Sequence, residues 1–536
     1  MTVLLKDIIA VLDHPFVDGD LSAPVSGVTL DSRKVQAGWI FVAMPGDNTD
    51  GHSFIGDAIG AGATSIIAQI PRVRDYEGIN WIQVPDTRRV LGPVAAKVYG
   101  DPTEDLTLVG ITGTNGKTTL TYLLEEILVQ AGKVPGVIGT VSYRHPGREQ
   151  DALRTTPEAS DLQNLFREMV DIGVTHAVVE VSSHGLHRHR LDGCHFDVGV
   201  FTNLSQDHLD YHGNLEDYFL AKQILFSELL PASIKNSRKA VVNLDDPYGR
   251  RLAAETDSVP VIGFGTSTEC AVKPADVGLN TEGICGLIDV SDSVIEIESR
   301  LVGGFNLMNI LAAIAVSHAL GIDSDAIVKG VASVNRIPGR LERVASPFGT
   351  VLVDYAHTPD ALRTVLSALN AFRNGWRGRI ITVMGCGGDR DKAKRAVMGK
   401  EAAARSNVLV ITSDNPRTED PLAIIEDIVR GAGSQALKPY SPMLSDETEF
   451  YHVIPDRREA IAWAVSRMQE HDILLVAGKG HETYQEINGV RYPFDDREVL
   501  REQLNKGLND PDRSSPEPGQ NKNENSLNQG SGSCRS

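Results

Sequence analysis

The segment Gly113-Thr-Asn-Gly-Lys-Thr-Thr119 constrains the fold more tightly than any other part of the chain. It follows an apolar run (residues 106–112) and precedes a helical stripe, Leu120, Leu123, Leu124, Ile127 and Leu128, that Gly132 stops. A buried strand, a glycine loop and a helix in that order make a phosphate cradle. The glycines let backbone N–H groups turn toward one anion, the helix N-terminus adds positive potential, and a lysine reaches the outer phosphates. This reading assigns Gly113, Thr114, Asn115, Gly116, Lys117, Thr118 and Thr119 to a nucleotide, with Thr118 holding Mg2+. The strict pattern has Gly or Ala five residues before the last glycine; here Ile111 stands there, so the loop is a variant.

The rest of the chain is long and acidic. Its 536 residues, at about 150 per domain, call for three or four domains. Lys+Arg 52 against Asp+Glu 71 leaves −19 at pH 7, which disfavours nucleic-acid and membrane-surface partners. Five scattered cysteines without a CxxC fit reduced thiols and exclude a disulfide scaffold. The first residues lack a basic stretch, and no apolar run approaches the roughly 20 residues of a membrane span. A cytoplasmic monomer with no membrane insertion is expected.

Residues 1–105 carry short β-like runs (39–43, 65–68) between Gly and Asp turns, as in a small α/β domain. In 106–340, buried runs at 106–112, 177–181 and 198–202 alternate with helical patterns, which predicts a parallel sheet covered on both faces. In 341–510, four strand-plus-loop units (350–357, 379–388, 407–417, 472–482) place Gly- or charge-rich loops at strand carboxyl ends, where open parallel sheets bind ligands. Residues 511–536, polar and nearly free of apolar side chains, are expected to be a disordered tail. The fold class is α/β in three domains: a small N-terminal unit, a central P-loop parallel-sheet ATPase domain and a Rossmann-like C-terminal domain.

The loop GTNGKTT is followed by EVSSHGL (180–186), TNLSQDHLDYH (202–212) and AKQILF (221–226), with LDSR at 30–33, DNPR at 414–417 and GKGHE at 478–482. This ordered set resembles the Mur ligase family of peptidoglycan synthesis, in its diaminopimelate-adding branch, over about residues 25–500. The resemblance implies ATP-dependent amide formation between a nucleotide-linked muramoyl dipeptide and a diamino acid. A carboxylate is a poor electrophile, so ATP would first convert it to an acyl phosphate, a step that brings two anions together and needs cations and Mg2+ around them.

Glu180, ending an apolar strand, suits Mg2+ beside a phosphate loop, though an edge-strand surface residue is the alternative. His208 and His212 have zinc-pair spacing only on a helix; Gly213 and the surrounding Asn and Asp favour a loop. The resemblance implies that Glu180 and His208 bind magnesium. It also implies that Lys222 is carbamylated (N6-carboxylysine) to support a second Mg2+, whereas spacing alone reads Lys222 as a solvated lysine. Thr155, Thr156, Ser182 and Arg190 are implied to contact the muramoyl substrate, with Arg188 standing where the family usually has Gln. Leu30, Ser32, Asp47, Asn48 and Thr49 are implied to hold the uridine diphosphate. Asn306 and Asn309 offer amides suited to an adenine edge. Arg340 would lend charge to the phosphates across a domain junction, and Asp354 and His357 would meet ribose or phosphate. Lys117, Lys222, His208 and Arg340 form the expected catalytic group.

For the incoming amino acid, Asp414, Asn415, Pro416 and Arg417 follow an apolar strand, and Arg417 presents a planar fork to a carboxylate. Arg390 offers a second fork, and Glu482, in the loop opened by Gly478, an acceptor for an ammonium. This set suits meso-diaminopimelate; lysine would leave Arg417 unpaired at a cost of about 1–3 kcal/mol. An Arg417 paired with Asp414 or Asp420 in a structural turn is the competing reading. The alternatives for the whole chain are the same ligase using lysine, a folylpolyglutamate synthetase-like ligase, and a P-loop switch coupling hydrolysis to partner binding. The DNPR, GKGHE and LDSR segments speak against the folylpolyglutamate synthetase-like ligase, and ATP turnover that depends wholly on a small carboxylate plus an amine would separate the ligase from the switch.

Overall fold

The computed structural model describes residues 3–46, 49–280, 282–371, 378–433, 438–439 and 450–508. The expected tail and the candidate residues Asp47 and Asn48 lie outside these.

Strand Thr107–Thr112 and the helix behind it, Lys117–Gln130, frame the central domain. Val109 and Ile111 share a core with Leu120, Leu124 and Ile127 of that helix, while Leu108 faces the opposite core with Phe166, Val179 and Phe201. A strand apolar on both faces must be covered on both, and in a parallel sheet helices do this. Thr107–Thr112 pairs in parallel with His176–Glu180 on one side and Val198–Phe201 on the other. Parallel pairing continues through Lys239–Asn243 and Val261–Phe264.

Beyond these the sheet departs from the all-parallel expectation. Val272–Leu279, Ile284–Val290 and Ser293–Ser299 form an antiparallel meander that extends it to eleven strands. The last of them alternates exposed Val294, Glu296 and Glu298 with buried Ile295 and Ile297, as a strand solvated on one face must. Ser142–His145 and Arg148–Asp151 close the opposite edge, also antiparallel.

Among the described residues there are two further large sheets and two two-stranded pairs. The N-terminal sheet has five strands, with Gly27–Thr29, Trp39–Val42, Ser65–Ala68 and Asn80–Gln83 parallel and Phe16–Asp18 antiparallel at the edge. The C-terminal sheet has seven, centred on Thr350–Asp354, Ile473–Ala477, Ile380–Met384 and Val408–Ile411, all parallel. These are the strands of the four expected units. Phe450–Val453 adds a further parallel strand beside Val408–Ile411. The carboxyl ends of the four central strands carry the loops discussed next.

Candidate active site

The phosphate loop leaves its strand at Gly113 and enters its helix through Gly116, whose φ of +91° is in the left-handed region. A Cβ there would lie 2.4 Å from Asn309 Oδ1, so the loop and the helix Gly304–Ala319 touch only because residue 116 has no side chain. Lys117 folds back over the loop, its Nζ donating to the carbonyls of Gly113 (2.7 Å) and Thr114 (2.9 Å). Lys222 Nζ donates to the same Gly113 carbonyl (3.0 Å) from Leu215–Ile224. It is 1% exposed, lies 4.4 Å above the Tyr218 ring, and burial together with the Lys117 charge lowers its pKa well below that of a free lysine. The solvated-lysine reading therefore fails: this amine is buried and biased toward its neutral form.

Glu180 is likewise not an edge residue. Its strand lies between two parallel neighbours, its side chain is 1% exposed, and its carboxylate accepts from Thr140 N (3.0 Å) and Thr140 Oγ1 (2.8 Å). His208 caps a one-turn helix, Leu209–His212, where a loop was expected, with φ of +53°. The surrounding chamber wall lowers the His208 pKa to about 4 against the opposing charge of Asp207, although 45% of its side chain stays open to solvent. His212 turns away to Ser183 Oγ (3.0 Å), so the two histidines are not a zinc pair.

Lys117, Glu180, Ser182, Lys222, Arg340 and His357 line one chamber of about 170 Å3. Arg340 belongs to the segment joining the central and C-terminal domains. Leu341 N–H donates to Asp354 Oδ2 (2.7 Å), Gly339 N–H to Glu342 Oε2 (2.8 Å), and Gly339 O accepts from Tyr355 N (2.8 Å). The segment thus rides on the C-terminal domain, with the Arg340 guanidinium 4.8 Å over the Tyr355 ring and 3.4 Å from Thr118 Oγ1. His357 donates through Nδ1 to Tyr355 O (2.8 Å), and burial lowers its pKa to about 4, which leaves Nε2 as an acceptor. Among the described residues no three His, Cys, Asp or Glu side chains converge as a metal cage. A glutamate and a threonine hydroxyl on one chamber still match Mg2+, which takes few protein oxygens and completes its shell with water and phosphate. A carbamate on Lys222 would add a further oxygen donor.

A second chamber of about 170 Å3, with Phe264, Phe305, Met308 and Ala361 among its walls, opens beside Gly116 and Asn309. The two asparagines differ from expectation. Both lie inside the helix Gly304–Ala319, where Asn309 Nδ2 donates to Asn306 Oδ1 (3.1 Å) and Asn306 Nδ2 to Val302 O (2.9 Å). Each amide thus places one N–H on a local partner, and of the two only Asn309 borders this chamber.

On the N-terminal side a cleft of about 870 Å3 is lined by Leu30, Ser32, Thr49, Arg88 and Arg188. Arg188 lies 5.3 Å from the Tyr211 ring centre and donates to Tyr211 Oη (3.1 Å). Arg190 lies deeper, paired with Glu158 (2.7 Å) and donating to Thr156 O (3.1 Å). Thr155 Oγ1 meets Thr140 Oγ1 at 3.1 Å on the chamber wall. The Thr156 hydroxyl is instead turned inward, to Glu180 O (2.8 Å) and Ser182 Oγ (2.9 Å).

In the C-terminal domain, Arg417 sits at φ +51° and donates to Gly388 O (2.7 Å), with Glu486 at 3.6 Å. It pairs with neither Asp414 nor Asp420. Arg390 is exposed, and a side chain on Gly387 would begin 2.9 Å from Arg417 Nη1 and 3.9 Å from Arg390 Cγ. Asn415 donates to Glu482 Oε2 (2.8 Å), and Pro416 O packs against Gly388. Asp414 Oδ2 lies 2.5 Å from where a side chain on Gly478 would begin.

The sequence matches three family models in succession: Mur ligase family, catalytic domain, at residues 24–99; Mur ligase middle domain at 111–317; and Mur ligase, glutamate ligase domain, at 339–480. A UDP-N-acetylmuramoyl-L-alanyl-D-glutamate–2,6-diaminopimelate ligase of Geobacter metallireducens is 46% identical over 94% of this chain and 99% of its own. The chain belongs to the Mur ligase family. A protein of the same name from Solibacter usitatus is 42% identical over 92% of this chain and 96% of its own. A solved structure of such a ligase superimposes with a TM-score of 0.66 at 34% identity, covering 95% of this chain and 100% of that one. The MurF ligase of Thermotoga maritima in complex with ADP shares the fold, with a TM-score of 0.61 at 22% identity over 90% of this chain and 98% of its own.

Within this Mur ligase, sequence reasoning passed over Thr140, which anchors Glu180, and Lys479, which is 0% exposed beneath the DNPR loop. Thr140 has no motif around it. Lys479 stood in plain view inside GKGHE, but nothing in its spacing marks it as buried.

Proposed function

We propose that this Mur ligase joins meso-diaminopimelate to UDP-N-acetylmuramoyl-L-alanyl-D-glutamate with hydrolysis of ATP to ADP and phosphate. The observation that carries this reading is the single chamber in which Lys117, Glu180 and Lys222 of the central domain meet Arg340 and His357. The full-length likeness to ligases of that name supports the choice of substrates. The working units are taken as residues 1–105 for the uridine nucleotide, 106–340 for ATP, 341–510 for the amino acid and 511–536 as a tail.

The muramoyl nucleotide lies in the cleft of Leu30, Ser32, Thr49 and Arg188, its terminal carboxylate reaching the chamber past Thr155 and Ser182. ATP lays its phosphates along residues 113–119, with the base toward Phe305 and Asn309. A carboxylate oxygen attacks the γ-phosphorus, ADP leaves, and an acyl phosphate results. The amine of diaminopimelate then attacks the acyl carbon, phosphate departs, and the ammonium proton passes to solvent. Lys117 and Arg340 spread the charge of the transferring group, which in a chamber shielded from water counts for more than on a surface. Glu180, Thr118, His208 and a carbamylated Lys222 would hold Mg2+, which when bound neutralises phosphate charge. Arg417 and Arg390 face the distal carboxylate of the amino acid, and Glu482 its ammonium. The product feeds peptidoglycan synthesis, and hence cell shape and division, from the cytoplasm; among the described residues no helix is long and apolar enough to cross a membrane.

The test is ADP release with the muramoyl dipeptide nucleotide, comparing diaminopimelate with lysine. Turnover with diaminopimelate only is expected. Release that needs neither amine nor muramoyl nucleotide would overturn the assignment.

A further inference from the structure

The loop that carries Glu482 is built over a buried lysine that none of the roles above uses. Lys479 is 0% exposed, and its Nζ donates to Asn415 Oδ1 (3.0 Å) and to Glu482 Oε2 (3.0 Å). Asn415 donates to the same carboxylate oxygen (2.8 Å), so one ammonium, one amide and one carboxylate form a closed triangle. Asn415 Oδ1 also accepts from Glu486 N (2.9 Å), which ties in the strand beyond.

The charge around this triangle does not balance. Asp414, Glu482 and Asp496 are opposed by Lys479 and by Arg457, which is itself paired with Asp496 (2.7 Å) and fully buried. Three carboxylates against two cations leave one negative charge, which a substrate ammonium would neutralise. Removing Lys479 would leave Asp414 and Glu482 facing each other, and two adjacent buried acids do not both stay ionised.

We infer that Lys479 is a positioning residue for the amino-acid substrate: it holds Glu482 ionised and aims it, together with Asn415, at the incoming ammonium. The inference deepens the proposed function and rests on it. Burial and the Asp414 charge already push Glu482 above the usual carboxylate range, and Lys479 and Asn415 are the groups that oppose them. Also facing this site are Tyr355 and Tyr484, both held protonated by burial, together with Arg457 and His481.

The experiment is steady-state kinetics of the full-length Lys479→Met protein, varying each substrate and pH. The KM for diaminopimelate is expected to rise tenfold or more, the scale of a lost buried hydrogen bond to a charged group. The KM values for ATP and the muramoyl nucleotide should stay within about twofold. The variant's diaminopimelate KM should fall as pH is raised from about 7 to 9, as Glu482 regains its charge, while the parent protein's changes less. A diaminopimelate KM unchanged by the substitution, or raised equally at every pH along with the other two, would overturn the inference. If Lys479→Met does not fold, Lys479→Met combined with Glu482→Gln removes both charges. That double variant should fold and lose the pH dependence; retention of parental diaminopimelate KM in it would refute the role. Failure of the parent protein to use diaminopimelate at all would instead reject the underlying function.

Discussion

Lys222 shows how far the surroundings of one side chain dictate its chemistry. A lysine packed against Tyr218 and a backbone carbonyl, with a second lysine nearby, is held toward the neutral amine. That is the form able to add carbon dioxide, and the product is an anion that reverses the local charge. In the folded protein supplied with 13C-bicarbonate, a carbamate carbon resonance is expected that Lys222→Met lacks; its absence from the parent protein would exclude the modification. Lys117→Ala removes the amine proposed to reach the outer phosphates and should lower turnover on the order of 100-fold or more with the melting temperature little changed. Retained turnover would rule out the phosphate role. Arg417→Ala should raise the KM for diaminopimelate about tenfold or more, and do so less for an analogue without the distal carboxylate. At this scale legibility was uneven. Lys117 announces itself because glycines and a helix surround it in sequence. Lys222 and Lys479 do not, because burial of a lysine comes from strands far away in the chain.

At the scale of the element, the strand–loop–helix around Gly116 was readable in full, since apolar period, glycines and helical stripe are all neighbours in sequence. Gly116→Ala tests it. The new Cβ would lie 2.4 Å from Asn309 Oδ1 at a φ of +91°, and left-handed backbone costs a residue with a side chain about 1–2 kcal/mol before the clash is counted. A lower melting temperature and weakened ATP binding by calorimetry are expected; unchanged binding would show that the loop can shift without loss. The antiparallel meander Val272–Ser299 was harder to see. Its last strand alternates exposed and buried residues but the first two do not, and nothing local says that they join the edge of a parallel sheet. The start of the helix Gly304–Ala319 is hard to read for a similar reason: Asn is a poor residue for a helix interior, and only the tertiary packing makes Asn306 and Asn309 interior.

For the whole molecule, the chamber takes its walls from the central and C-terminal domains and the cleft beside it from the N-terminal and central ones, so no domain holds the site alone. Closure of the C-terminal domain over ATP is expected to reduce the radius of gyration seen by small-angle scattering when ATP and the muramoyl nucleotide are both present; an unchanged profile would argue against assembly by closure. Acid stability follows from partly buried histidines. His176 and His357 are held near a pKa of about 4 and His481 near about 3, against 6.5 when exposed, in each case chiefly by burial. Below about pH 6.5 the unfolded chain takes up protons that the folded one refuses, so the contribution is whole above that value and is lost as pH falls toward 4. Melting temperatures should hold above about pH 7 and drop between about 6.5 and 5, before carboxylates titrate; a flat profile there would mean that these histidines are not buried in solution.

Arg340 adds one further consequence. Because the connector itself carries the guanidinium that lies 3.4 Å from Thr118 Oγ1, its length sets where that charge falls. Splicing a spare amino acid into the turn at 291–292, far out on the meander, ought to be harmless. The same insertion between Val334 and Gly339 would leave three well-formed lobes and a silent enzyme.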